Sequence, residues 1–165
     1  MRKIVLLLIV MTALTSSGQT SLKNSSHALE LPKATVFEKM NSTKEETSNV
    51  DVYKITLANN DQPKYLIYLM KNKLNKEINS ISDYNFEDYL KDVGKAEILS
   101  KDLIIFKNRE YYKVKVDFGN KVQGVLYITV KDDNLYRLLF MLPNSEYYVK
   151  YSKEITSIFE SSSLL

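Results

Sequence analysis

The sequence predicts an α+β domain in which an antiparallel sheet of about six strands is flanked by two or three helices. Three observations carry this prediction. Tyr111 to Phe118, Gly124 to Lys131 and Leu135 to Leu142 are strand-length runs, and Gly119-Asn120 and Asp132-Asp133-Asn134 between them are turn chemistry, so they form a meander. After Pro143, the residues Tyr148, Tyr151, Ile155, Ile158 and Phe159 recur at helical spacing. Ahead of the meander lie an apolar run, Tyr65 to Met70, and a segment with helix start and stop signals.

The elements follow in order. Met1-Arg2-Lys3 is basic, Ile4 to Leu14 is apolar apart from Thr12, and Ser16 and Gly18 are small. This is the order of a secretory signal peptide, so residues 1–18 are expected to be removed before Gln19. The apolar stretch falls short of the roughly 20 residues a spanning helix needs, and no later segment is apolar enough to span. Residues 19–30 are polar and mixed and are expected to form a flexible arm; residues 31–165 form the domain. Ala34 to Met40 admits a strand or a short helix, and Asn41 to Asn49 reads as a polar loop. Asn24-Ser25-Ser26 and Asn41-Ser42-Thr43 match the glycosylation sequon, a pattern common by chance.

Val50 to Leu57 alternates, Asn59-Asn60-Asp61 turns, and Tyr65 to Met70 is a buried strand, which together suggest a hairpin. Asn85 caps a helix whose Phe86, Tyr89, Leu90 and Val93 share a face and whose stop is Gly94. Ala96 to Leu99 and Leu103 to Phe106 are two short strand candidates. Asn144 or Ser145 caps the closing helix.

Alternation assigns the meander's faces once the turns are fixed. With a four-residue connection after Phe118 and a two-residue turn at Asp132-Asp133, Tyr112, Val114, Val116 and Phe118 join Val125, Tyr127, Tyr136, Leu138 and Phe140 beneath the closing helix; a three-residue second loop would turn the last strand over. The opposite face then carries Tyr111, Lys113, Lys115 and Arg137, cations beside aromatic and apolar groups. These four are the candidate partner-binding residues; lysines on a half-exposed strand also serve as plain solvation.

Composition limits the chemistry. The chain has no cysteine, which excludes disulfides and thiolate metal sites, and one histidine, His27, placed in the expected arm. No glycine-rich phosphate loop occurs. The acid pairs Glu45-Glu46, Glu87-Asp88 and Asp132-Asp133 each have a loop, helix-start or turn role. Asp132, Asp133 and Asn134 offer too few oxygens for calcium. No catalytic, metal or cofactor site is expected. Without Arg2 and Lys3 the basic side chains number 21 against 20 acids, a net charge of +1 that gives no field to draw nucleic acid. The 12 tyrosines suit both strands and binding surfaces.

The region from Tyr65 to Phe159 resembles the Mog1/PsbP-like group of α/β/α sandwich domains. The strand YLIYLM precedes a helix ending DYLKDVG, the meander VKVDFGNKVQGVLYITVKDDNLYRLLFMLP follows, and the helix YYVKYSKEITSIFESS closes the chain. Within the meander, GVLYITV lies beside YRLLFML just before that helix. The resemblance implies a non-enzymatic binding or assembly factor and carries no functional residue with it. The expectation is therefore an exported monomer, periplasmic or secreted, whose partner is a protein or envelope component. The alternative is a carrier of a small apolar ligand held between sheet and helix, lined by Phe86, Leu90, Leu126, Ile128 and Leu139.

Overall fold

In the computed structural model, which describes residues 20–58, 60–75, 77–85 and 96–165, strands dominate. Seven of them, β3 (Thr35–Lys44), β4 (Ser48–Leu57), β5 (Asn60–Lys73), β6 (Glu97–Phe106), β7 (Arg109–Asp117), β8 (Gln123–Lys131) and β9 (Asn134–Leu142), form one antiparallel sheet. Its order is β3-β4-β5-β9-β8-β7-β6. Thus the N-terminal hairpins and the C-terminal meander meet along the β5–β9 seam, where Leu66 to Lys73 pair with Met141 to Asn134. A second sheet joins β1 (Thr20–Lys23), β2 (His27–Leu31) and β10 (Ser163–Leu164). Helix α1 (Ser145–Ser161) lies between β9 and β10 in sequence, capped by Asn144, whose side chain accepts from the Tyr147 N–H.

This corrects the expected architecture. The protein is mostly β, with ten strands in two sheets and one α-helix among the described residues, and is not an α/β/α sandwich with two or three helices. The expected helix from Asn85 to Gly94 falls largely on residues 86–95, outside the described residues. Elsewhere strand patterns extended further than expected. Asn41 to Lys44 continue β3, so the polar loop shrinks to residues 45–47. The two short candidates around Ser100 are one strand, β6, with a register shift near Leu99.

Within residues 19–30, expected to be a flexible arm, 20–23 and 27–30 belong to strands β1 and β2. His27, Leu29 and Leu31 alternate inward and are 2%, 1% and 0% exposed, and Leu22 across the turn is fully buried. The Asn24 side chain builds that turn, with its Oδ1 accepting from the Ser26 and His27 N–H groups at 2.9 and 2.8 Å. Its Nδ2 donates to Asp51 at 2.7 Å, so the first sequon's asparagine is engaged internally.

Two cores follow from the two faces of the large sheet. On one, Ile155, Ile158 and Phe159 of α1 and the leucines of β1 and β2 pack on Ile55, Tyr65, Ile67, Leu69, Tyr127, Leu138 and Phe140. On the other, Ile78 and the 3-10 turn Ile81–Asp83 help cover Val114, Val116, Leu126, Ile128, Val130 and Leu139. The closing-helix stripe therefore does what its spacing indicates.

The register of β7 departs from expectation. Val116 pairs with Gly124 and Val114 with Leu126, and the Phe118 N–H donates to the Val122 carbonyl, so three residues rather than four form the connection. Gly119, Asn120 and Lys121 all adopt positive φ, a tight left-handed turn. A one-residue change in a connection turns every side chain of the strand over. Val114 and Val116 consequently face away from α1, while Tyr111, Lys113 and Lys115 face toward it. The second turn, Asp132-Asp133 with φ of 49° and 57°, is the expected two-residue hairpin connection.

Candidate functional site

The four candidate residues do not share a face. Tyr111 is a core residue, 8% exposed, its ring 5.1 Å from that of Phe159. Arg137 lies on the far face opposite Ile128 and Met70, where its guanidinium donates to Asn72 Oδ1. Lys113 and Lys115 remain together, half-buried on the α1 side of β7.

There they meet the first turns of the helix. The Lys115 ammonium lies 3.9 Å from the centre of the Tyr148 ring, and that of Lys113 lies 5.9 Å from the Tyr127 ring. Tyr147 and Tyr151, one turn apart, are 5.8 Å between centroids, and Lys150 stands 5.2 Å from Tyr151. Val149 between them is 74% exposed. At the rim, Lys64 is buried against Tyr151, at 4.8 Å, and pairs with Glu154 at 2.6 Å. The Tyr65 hydroxyl also donates to Glu154, and burial followed by that carboxylate holds the phenol far above its ordinary range. Burial likewise pushes Tyr127 up to about 12. Tyr65 and Tyr127 are thus neutral phenols.

Its shape is shallow. The recess between Lys113, Tyr127, Tyr148 and Thr156 holds about 20 Å³, room for a water molecule and no more. A surface of aromatic rings and ammonium groups without a deep pocket suits another macromolecular surface better than a small molecule. Sequence reasoning missed its helical half, although Val149 lies off the buried stripe and signalled an apolar side chain facing solvent.

A second polar constellation is structural. Ser26 Oγ lies 2.7 Å from His27 Nδ1, an arrangement that invites comparison with a nucleophile and its base. Both residues are sealed, at 0% and 2% exposure, by β10, where Leu164 pairs with His27 and the Leu165 N–H donates to the Ser26 carbonyl. No substrate reaches them. Burial, and secondarily the charge of Lys71, lowers the His27 pKa to about 4, so the imidazole is neutral. Beside it, burial would raise the Asp51 pKa, but hydrogen bonds from Lys39, Ser42 and Asn24 and the Lys39 charge together bring it below its ordinary value. Among the described residues no group of three or more His, Asp or Glu side chains is placed to hold a metal ion. Nor is any helix there long and apolar enough to cross a membrane.

No family model matches the chain, and no curated protein matches it in sequence. Its structure is similar to the solution structure of PsbP from the cyanobacterium Synechocystis, with a TM-score of 0.64 at 9% identity over 93% of this chain and 96% of that one. A crystal structure from Bacteroides thetaiotaomicron aligns at TM-score 0.40 and 14% identity, over 84% of this chain and 45% of that one. A protein of unknown function from Pseudomonas aeruginosa aligns at TM-score 0.44 and 9% identity, over 87% and 94%. The last two are too distant to bear on the fold. The first shows that the chain has a PsbP-like fold, and at that identity it shows the fold and nothing further.

Proposed function

We propose that the protein is an exported, non-enzymatic binding module that engages a protein or envelope component through the Lys113–Lys115–Tyr148 surface. The observation that carries the reading is the Lys115–Tyr148 contact at 3.9 Å beside the exposed Val149. It brings fixed cations and aromatic area together on one shallow face, with Val149 exposed on the adjoining turn of α1. Rigid aromatic and cationic groups are the usual anchors of interfaces. The PsbP-like fold supports the reading, because the resemblance implies binding and assembly roles. The leader pattern of residues 1–18 supports export, and β1 at Thr20–Lys23 lies on the mature side of the expected cleavage before Gln19. Mass spectrometry of the exported form should find Gln19 at its start; an intact Met1 on that form would remove the support.

The carrier reading has less behind it. Between the sheet and α1 the space bounded by His27, Tyr111, Tyr127, Tyr136 and Phe159 amounts to about 10 Å³. On the other face Leu126, Ile128 and Leu139 are buried in the second core, and Phe86 and Leu90 lie outside the described residues.

The test is affinity capture from native envelope extract with the mature chain and its Lys113→Gln/Lys115→Gln variant. A component retained by the first and lost by the second, with both equally folded by circular dichroism, is the expected result. Retention of the same components by both would refute the assignment of this surface.

A further inference from the structure

The large sheet has two edges, and they differ. β3 forms one, and its pairing is interrupted in mid-strand by a register shift at Met40. Its Glu38 and Lys39 are in ion pairs with Lys54 and Asp51. A bulge and charges are the ordinary protection of an edge. β6 forms the other, and its register shift lies near its start, at Leu99, so Ser100 to Phe106 run without interruption. Leu103 and Ile105 there are 49% and 77% exposed.

The charges of β6 are turned inward. The Lys101 ammonium lies 4.1 Å from the centre of the Tyr112 ring on β7, and Asp102 stands opposite Lys113. The outer edge is left to Leu103, Ile104 and Ile105. The direction of its main-chain groups follows from the hairpin. Phe106 and Arg109 close a two-residue turn, Lys107-Asn108, with φ of 49° and 59°. The closing pair of such a turn exchanges both hydrogen bonds, and the direction then alternates along the strand. Ile104 therefore bonds to β7, and the N–H and C=O groups of Leu103 and Ile105 point off the sheet. The Glu110 carbonyl agrees with this alternation: opposite Ile105, it turns away from β6 and accepts from Thr129 Oγ1 of β8 at 2.7 Å. Among the described residues no strand meets Leu103 or Ile105 from outside.

We propose that β6 pairs antiparallel with β6 of a second copy of the chain, about a two-fold axis at Ile104. Charge and apolar matching select that position. An axis at Lys101 or Asp102 opposes identical charges. One at Leu103 sets Asp102 against Ile104 and Lys101 against Ile105. An axis at Ile104 sets Leu103 of each copy against Ile105 of the other, and Ile104 against Ile104. Both main-chain bonds then form at each Leu103–Ile105 pair. Lys101 and Lys107 come opposite in this register but stay apart. Lys101 lies on Tyr112, on the face away from α1, whereas Lys107 Nζ donates to the Ser162 carbonyl at 2.8 Å on the α1 side. One strand pair buries little area, so the dimer is weak and reversible, with a Kd between about 1 μM and 1 mM. It stands in place of the monomer expected from the sequence, and is separate from the Lys113–Lys115–Tyr148 surface.

Sedimentation equilibrium of the mature chain, from micromolar to millimolar concentration, tests the pairing. The expected result is a concentration-dependent dimer. Ile105→Lys, at a position too exposed to disturb the fold, should raise its Kd by roughly tenfold or more, and Val36→Lys on β3 should leave it unchanged. The register is read by crosslinking, since the chain has no cysteine of its own. Ile104 and its image form the close, non-hydrogen-bonded kind of pair, about 4.5 Å between Cα atoms, which a disulfide spans. Ile104→Cys should therefore form disulfide dimers under mild oxidation much faster than Val36→Cys, with both folded by circular dichroism. The proposal is overturned if the chain stays monomeric across the range, if Ile105→Lys dimerises as tightly as the parent, or if Ile104→Cys crosslinks no faster than Val36→Cys.

Discussion

The rings of Tyr127 and Phe159 stack face to face, 3.9 Å between centroids and 7° from parallel, and so fasten the last turns of α1 to the middle of β8. Phe106 and Tyr111 close on the same phenylalanine at 4.9 and 5.1 Å. One side chain thus ties the helix to three adjacent strands. Phe159→Ala should destabilise the protein by about 3–5 kcal/mol, and Phe159→Leu, which keeps apolar volume but loses the stack, by roughly 1 kcal/mol. Urea denaturation measures both. No loss of stability in Phe159→Leu would show that the stack itself contributes nothing.

His27 makes stability depend on pH in a window where no other side chain of this protein ordinarily titrates, since it is the only histidine. Its folded pKa of about 4 lies below the unfolded value of 6.5, so the unfolded chain binds the proton first. Stability is therefore full above pH 6.5 and falls as pH drops from there toward 4, by about 3 kcal/mol in all. His27→Gln should flatten this part of the curve, whatever its effect on stability at pH 7. Unfolding free energies measured every half unit from pH 7.5 to 4 decide it; parallel curves for the two proteins would contradict the prediction. Asp51 acts in a lower window. With its folded pKa below the ordinary 3.8, its contribution is present above that value and is lost only as pH falls further.

The three-residue turn after Phe118 sets which side chains β7 shows to α1. Lys121 holds a φ of 71°, where a Cβ is unfavourable, so Lys121→Gly should stabilise the protein by roughly 0.5–1 kcal/mol. Gly119, at φ 78°, has open space around it, yet Gly119→Val should destabilise by about 1–2 kcal/mol through backbone strain alone. Thermal melts of the two variants should move in opposite directions. A shift of the same sign in both would mean that the turn does not hold this conformation in solution.

Most of the elements were legible, and the misreadings have particular causes. The meander and the closing helix read correctly because each carries one strong period and is punctuated by Asp132-Asp133 and Pro143. The face of β7 did not, because Gly119-Asn120 marks a turn without stating its length, and one residue separates Lys113 on the helix side from Lys113 on the other. β1 and β2 were missed because they are only four and five residues long and flank the polar turn Asn24-Ser25-Ser26, although His27, Leu29 and Leu31 alternate. Their stability comes from covering Ile55 and Ile67 rather than from local propensity. Of the candidate site, Lys113 and Lys115 were visible as cations on a strand. Tyr148 was counted only toward the buried stripe. Its meeting with Lys115 joins residues 33 positions apart, which no local pattern encodes.

The most direct test of the binding surface is site-specific photocrosslinking in the native host, with a benzophenone amino acid at Val149 and, as a control, at Ile105. Both positions are exposed, at 74% and 77%, but Ile105 lies on the outer strand β6, away from the lysine–tyrosine surface. The account predicts a discrete adduct from position 149 that disappears when Lys113 and Lys115 are replaced by Gln, and no matching adduct from position 105. The same adducts from both positions, or an adduct from 149 that survives loss of the two lysines, would contradict it.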